Sequence, residues 1–274
     1  MKKNPLETSK LYRRIKRFRK KKILRIKSIF SKPNENPVII MGNQKSGTTA
    51  IAALLAMYIK KNVTLDFLPI NNEIDALLLK EKEFSSFVNH YSILFSTYII
   101  KEPWLTFIAS QVYDRFPKAR YILIVRDPRD NIRSILDRLN IPGNKENNPD
   151  EINNLKPGWK QVFIPELYHW NCKNYIEILS NRWNYAINIK EYIQSKKIIV
   201  VRYEDFKNNK IRFIKDLATK IGEKGQEDIS AFINKQFQPM GASRNIPWKD
   251  IYGEENLEKI EKICKSNMKR YDYY

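Results

Sequence analysis

The sequence predicts an α/β fold, a three-layer sandwich whose central parallel sheet is flanked by helices. Three observations predict it. From residue 38 onward, short apolar runs of strand length alternate with segments of helical period. Two of those runs, ending at Gly42 and Arg126, pass directly into polar turns that open a helix. And 274 residues, 42% of them hydrophobic, are enough to bury one large core, with no internal repeat and no second core pattern.

The elements follow in order. Residues 10–30 place Leu11, Ile15, Phe18, Ile26 and Ile29 on one helical face among cations, and Pro33 and Pro37 end the pattern. Residues 38–42 read as a buried strand, 48–60 as the helix after its loop, 62–66 as a second strand and 72–88 as a helix. A strand at 96–101 and a helix at 104–115 lead to the clearest strand, Arg120 to Arg126, and to a helix opened by Asp127-Pro128-Arg129-Asp130. The stretch 141–165 is rich in Asn, Lys and Pro without a period, so it reads as a long loop of the kind that forms lids or binding segments. Helix 166–194 and strand 197–202 close the sheet, and the tail is helical from 254. The division is therefore a basic extension, 1–36, before one domain, 37–274.

Fifty Lys and Arg against 30 Asp and Glu leave +20, of which the first 32 residues hold +13. Such a surplus attracts polyanions, anionic membranes or phosphorylated small molecules, and charge alone does not choose among them. For residues 10–30 two readings stand: a basic amphipathic helix on an anionic membrane surface, or a solvated basic extension. A nucleic-acid arm is the weaker third. Two cysteines, Cys172 and Cys264, exclude a multi-disulfide scaffold and lack paired zinc spacing, and no apolar run reaches the roughly 18 residues that cross a bilayer. A cytoplasmic protein is expected, with the basic helix offering a peripheral contact at the inner face of the membrane.

Glycine is scarce, 8 in the whole chain, so two of them in one polar loop carry weight. Gly42-Asn43-Gln44-Lys45-Ser46-Gly47-Thr48-Thr49 lies between a strand and a helix, where backbone N–H groups and the helix dipole converge on a phosphate. Gly42 allows the sharp exit from the strand, Gly47 the close approach of a ligand, Lys45 adds charge, and Ser46, Thr48 and Thr49 add hydroxyls. An ATP-using loop wants Lys immediately after the second glycine, and Thr48 stands there instead. Glu204 and Asp205, after the strand ending in Arg202, read as caps of the next helix rather than as magnesium holders. At the second corner, Arg126 ends a strand and Ser134 lies two helical turns on, so a planar guanidinium and a hydroxyl can meet one phosphate.

These residues resemble a known family. Gly42 to Thr49 is similar to the 5′-phosphosulfate loop, and Arg126 with Ser134 to the 3′-phosphate motif, of sulfotransferases that use 3′-phosphoadenosine 5′-phosphosulfate (PAPS) and release 3′-phosphoadenosine 5′-phosphate (PAP). The resemblance spans about 37–274 and implies a fold related to the P-loop nucleotide kinases. It implies further that Tyr203, in ValArgTyrGluAspPhe at 201–206, lies near the adenine, and that Arg244, with Trp248 or Lys249 as alternatives, belongs to a loop over the 3′-phosphate.

Sulfuryl transfer needs in-line geometry, cations on the developing charge and a base for the acceptor hydroxyl. Lys45 is the first cation, and Lys101 resembles the family's second active-site lysine. Cytosolic members carry His two residues after it; here Pro103 stands there, and neither His90 nor His169 falls at a matching place. Carbohydrate sulfotransferases use a Glu after the second strand, and Glu73 falls at the corresponding distance from Lys45; partial burial would raise its pKa toward that of a useful base. Asp66 and Glu102 are its competitors. The resemblance thus implies an enzyme with catalytic residues Glu73, Lys45 and Lys101 that sulfates a hydroxyl, less readily an amine, of a carbohydrate or glycolipid, with no metal required and nucleic acid not its partner. A nucleotide or small-molecule kinase and a non-catalytic basic binding module are the rivals.

Overall fold

The computed structural model describes residues 10–67, 70, 73–79, 81–168, 170–191, 193, 197–238 and 245–274, and leaves the side chains of 10–15, 17, 75, 157 and 167 undescribed. Its centre is a five-stranded sheet in the order β2-β3-β1-β4-β5, parallel throughout. The strands are β1 (Val38–Met41), β2 (Val63–Thr64), β3 (Ile99–Lys101), β4 (Arg120–Val125) and β5 (Ile198–Arg202). Alternating side chains of β1 and β4 feed two separate cores: Ile39, Met41, Tyr121 and Leu123 on one face, Val38, Ile40, Ile122 and Ile124 on the other. That alternation makes three layers, as the expected sandwich requires.

The helices, in chain order, are α1 (Lys10–Ile29), α2 (Thr48–Tyr58), α3 (Ile74–Leu78), α4 (Phe84–His90), α5 (Ser92–Phe95), α6 (Ala109–Arg115), α7 (Pro128–Leu139), α8 (Pro157–Lys160), α9 (Tyr175–Asn188), α10 (Tyr203–Asn208), α11 (Lys210–Lys220) and α12 (Trp248–Arg270). On one face α2 packs with α11 through Ile51, Leu55, Ile214 and Leu217; on the other α7, α9 and α12 bury Ile132, Ile135, Leu179, Trp183 and Ile260. Among the described residues no helix is long and apolar enough to cross a membrane.

Several expected boundaries move: the strands expected at 62–66 and 96–101 shorten to β2 and β3, and the helix expected at 104–115 opens as a 3-10 helix, Pro103–Ile108, before α6. The helix expected over 72–88 divides into α3 and α4, with α5 following at once. The one expected over 166–194 begins only at Tyr175, where the Asn174 side chain accepts from the Glu177 N–H at 3.1 Å and caps it; a 3-10 turn, Pro165–Tyr168, precedes. The tail helix starts at Trp248, and Gly253, with φ 68°, interrupts it. The stretch 141–165 carries short turns, among them α8.

The basic extension does not stand apart from the body. Ser92 Oγ donates to the carbonyl oxygens of Ser28 and Ser31 at 2.7 and 2.9 Å, and Leu24 packs against the larger core.

β1 lies centrally, and the chain leaves it first toward β3 and β2, then crosses to β4 and β5. The carboxyl ends of β1 and β4 are neighbours, Met41 beside Leu123, so the turns that follow them open on the same crevice.

Candidate active site

The loop after β1 is built around two glycines. Gly42 has φ 150°, and a Cβ there would come 2.8 Å from the Ile124 carbonyl oxygen, so only glycine lets β1 leave this close to β4. The Gly42 N–H donates to Thr106 Oγ1 at 2.9 Å, which anchors the loop from below. Gly47 has φ 87°, and a Cβ there would strike the Tyr203 ring at 2.3 Å. Lys45, at φ 68°, is left-handed without being glycine, a conformation that persists only where its surroundings enforce it.

Those surroundings come from the second corner. Arg126 Nη1 donates to the Lys45 carbonyl oxygen at 2.7 Å, and its guanidinium lies 4.7 Å from the Tyr203 ring centre. Burial pulls the Arg126 pKa down, and its Nε has no partner among the described residues. Trp183 Nε1 donates to the Arg126 carbonyl oxygen at 2.8 Å and fixes the strand end. Asn131, on the first turn of α7, donates to the Gln44 carbonyl oxygen at 2.9 Å and to Ser46 Oγ at 3.0 Å, while accepting from Asn43 at 2.8 Å. One side chain thus stitches three residues of the first loop to the second helix.

Between the corners opens a cavity of about 630 Å³, lined among others by Lys45, Thr48, Arg126, Ser134, Tyr203 and Lys101. In its wall Lys101, 1% exposed, donates to Asp66 Oδ1 at 2.6 Å; Asp66 is 30% exposed. Glu102 lies beside them with Oε2 accepting from the Phe67 N–H at 2.8 Å and Oε1 from the Trp104 N–H at 3.4 Å. Burial, reinforced by Asp66 and opposed by Lys101, pushes its pKa up to about 7. Trp104 and Trp159 contribute aromatic wall to the same cavity.

A family model of the sulfotransferase domain matches residues 35–272. The chain belongs to the sulfotransferase family. That membership bears out the expected enzyme class and its PAPS dependence, and the parallel sheet bears out the fold class. Sulfotransferase STF9 from Mycobacterium avium is similar over 88% of this chain and 78% of its own, at 13% identity and a TM-score of 0.57. Sulfotransferase STF1 from Mycobacterium tuberculosis H37Rv is similar over 87% and 79%, at 11% identity and a TM-score of 0.52. Mouse sulfotransferase SULT7A1, crystallised with PAP, covers 91% and 90% at 14% identity and a TM-score of 0.49. No curated protein sequence matches.

In this sulfotransferase the expected residues divide into three groups. Lys45, Gly47, Thr48, Thr49, Lys101, Arg126, Ser134 and Tyr203 line the one cavity, as do the competitors Asp66 and Glu102. Gly42 and Ser46 do not: Gly42 is packed against β4, and the Ser46 hydroxyl is turned to Asn131. Glu73 stands outside the lining, and its environment reverses the expected pKa shift. Burial alone would raise it, but hydrogen bonds from Lys21 and Tyr91 and the charges of Lys21 and Lys82 outweigh that and hold it below the ordinary carboxylate value. A carboxylate so stabilised is a poorer base.

Arg244 and His169 lie outside the described residues. Trp248 donates to Asp130 at 2.8 Å and covers Arg129, while Lys249 pairs with Glu254 on the surface. Glu204 is no helix cap: it accepts from the Asp127 N–H at 3.1 Å and from the Tyr273 hydroxyl at 2.6 Å, tying α10 to the second corner and to the C-terminus.

Asn131 and Arg182 escaped the sequence reading. Arg182 is wholly buried, donates to Gln44 Oε1 at 3.1 Å and to Tyr168 Oη at 3.0 Å, and lies 3.5 Å from the Phe107 ring centre. A signal existed for both: each is a polar residue on the apolar face of its helix, Arg182 among Leu179, Trp183 and Ala186 and Asn131 beside Ile132 and Ile135.

Proposed function

We propose that this sulfotransferase moves a sulfuryl group from PAPS to a hydroxyl of a carbohydrate or glycolipid, with Asp66 as the base. The observation that carries the reading is the Lys101–Asp66 pair, 2.6 Å apart, lining the same cavity as the two cationic corners. The residues present fit the donor. The absence of a Cβ at Gly47 lets the Tyr203 ring lie directly on the loop, and Arg126 Nε is a buried donor with no described partner. Lys45, Thr48 and Thr49 would hold the phosphosulfate, Arg126 and Ser134 the 3′-phosphate, and Tyr203 the adenine.

Bound there, PAPS supplies the sulfuryl group and departs as PAP. Asp66 takes the proton from the acceptor hydroxyl as the new oxygen–sulfur bond forms and the bond from sulfur to the 5′-phosphate oxygen breaks, its electrons going to that phosphate. Lys45 and Lys101 offset the charge that develops on the departing side. Glu102, its two oxygens taken up by backbone N–H groups, positions the pair rather than accepting the proton. Trp104 and Trp159, flat and amphipathic, suit the C–H face of a sugar ring with polar groups at its rim.

The test is transfer of radiolabelled sulfate from PAPS onto a panel of glycans, glycolipids and simple phenols. Transfer to the glycans or glycolipids is expected. Labelling of the phenols alone would refute the acceptor class, and labelling from ATP-derived phosphate instead would refute the reaction.

A further inference from the structure

The helix α1 docks on the body by one side and leaves its most apolar side bare. Toward the body it turns Lys21, which pairs with Glu73; Leu24, which packs on the larger core; and Ser28, whose carbonyl oxygen accepts from Ser92. Those three are spaced i, i+3, i+7 and share one face. Phe18, Ile26 and Ile29, spaced i, i+8, i+11, share another, and they are 69, 48 and 76% exposed; Phe30, just past the helix end, is 86% exposed. Leu11 and Ile15 fall on the same face by spacing, although their side chains lie outside the described residues. A helix recruited only to cover the core would have turned that stripe inward.

What flanks the stripe names its partner. The segment Lys10–Ile29 holds 11 Lys and Arg and no acid, and Arg19, Lys20, Lys22 and Lys27 are all exposed. A merely solvated basic arm has no use for four large bare hydrophobics, and a phosphate backbone is met by cations, with no need of an apolar stripe. A surface with both an apolar interior and anionic headgroups satisfies the two features together: the stripe enters the headgroup–acyl boundary, and the cations meet lipid phosphates and attract the leaflet's negative potential.

We propose that α1 is an interfacial membrane anchor, lying along an anionic lipid surface by Phe18, Ile26, Ile29 and Phe30 while Lys21, Leu24 and Ser28 hold it to the catalytic body. This goes beyond the sulfuryl-transfer reading and does not depend on it.

Cosedimentation of the full chain with vesicles of phosphatidylcholine, alone or mixed with phosphatidylglycerol, tests it. Binding to the anionic vesicles is expected, with little to the neutral ones. The triple variant Phe18→Ser, Ile26→Ser, Ile29→Ser keeps every charge and should bind about tenfold more weakly or worse with an unchanged thermal unfolding curve. Should the triple variant not fold, Phe18→Ser alone, at a site with no described packing partner, carries the same expectation in direction. Three results would overturn the proposal: no pelleting with anionic vesicles; variants that pellet as the parent does, which would mean charge alone; or a parental dimer that the triple variant converts to monomer, which would mean that a second copy covers the stripe. Displacement from the vesicles by single-stranded RNA, with RNA binding unchanged in the triple variant, would likewise assign the helix to nucleic acid.

Discussion

The Arg126 side chain, leaving the end of β4, donates to the backbone carbonyl of Lys45 in the loop after β1, 2.7 Å away. The two strand-end corners are therefore one structure. A guanidinium that would face one phosphate also fixes the left-handed residue whose loop would face the other, so the donor's two charged ends share a support.

Arg126→Ala should accordingly weaken PAP by on the order of 2 kcal/mol or more, about 30-fold, because a charged hydrogen-bonding group is lost and Lys45 is released with it. Lys45→Ala should cost a similar amount. Isothermal titration with PAP measures both, and parental affinity in either variant would mean that the corners do not act on one ligand.

Asp66→Asn and Glu73→Gln should separate cleanly. The first should lower turnover by roughly a hundredfold or more while leaving PAP affinity within a few-fold, as loss of a general base does. The second should leave turnover nearly intact, because Glu73 is engaged by Lys21, Lys82 and Tyr91 outside the cavity lining. Steady-state kinetics decide, and the opposite pattern would return the base to Glu73.

Glu102 ties stability to pH. Its ordinary value of 4.5 is raised to about 7 in the folded protein, chiefly by burial. Between those values the folded chain holds a proton that the unfolded chain has lost, so the contribution of this group falls as pH rises through that window, by on the order of 3 kcal/mol, and levels off above it. Glu102→Gln, a mimic of the protonated acid, should be flatter by that slope. Chemical denaturation from about pH 5 to about pH 8 would show it, and parallel curves for the two proteins would contradict the assignment.

Gly47→Ala should both strain the loop and push Tyr203 aside, since the added Cβ meets the ring at 2.3 Å and φ is 87°. We expect a loss of about 1–3 kcal/mol in stability. Adding Tyr203→Ala should recover the steric part but neither the backbone strain nor donor affinity. A double-mutant cycle in denaturation and PAP binding tests this, and strict additivity would argue against the contact.

Asn131→Ala removes three hydrogen bonds from a buried position and leaves Asn43, Gln44 and Ser46 without them. A loss of about 1–3 kcal/mol in stability is expected, with a weaker grip on PAP because the first loop is no longer pinned. Stability loss with unaltered PAP binding would confine Asn131 to the fold.

Much of this was legible beforehand because it is local. The succession of apolar runs, the scarce glycines at 42 and 47, and the Arg126–Ser134 spacing follow from backbone geometry over a few residues, and Lys45, Gly47, Thr48, Thr49, Arg126 and Ser134, named from them, line one cavity with Lys101 and Tyr203, which the family resemblance supplies. Gly42 and Ser46 belong to that loop without lining the cavity: Gly42 makes the expected sharp exit from β1, and the Ser46 hydroxyl turns to Asn131. Asn131 and Arg182 needed partners 85 to 138 positions away.

By itself, then, the amino-acid order determined the fold class and the two cationic corners, since periodicity and turn chemistry act at short range, and it carried the motifs by which the chain resembles its family. Only the folded chain decided which carboxylates face the cavity and which face of α1 stays bare. Asp66 meets Lys101 because β2 and β3 pair side by side, and Glu73 is taken by Lys21 because α1 docks on α5. Both outcomes depend on contacts between segments far apart in sequence, whose energies no local pattern records.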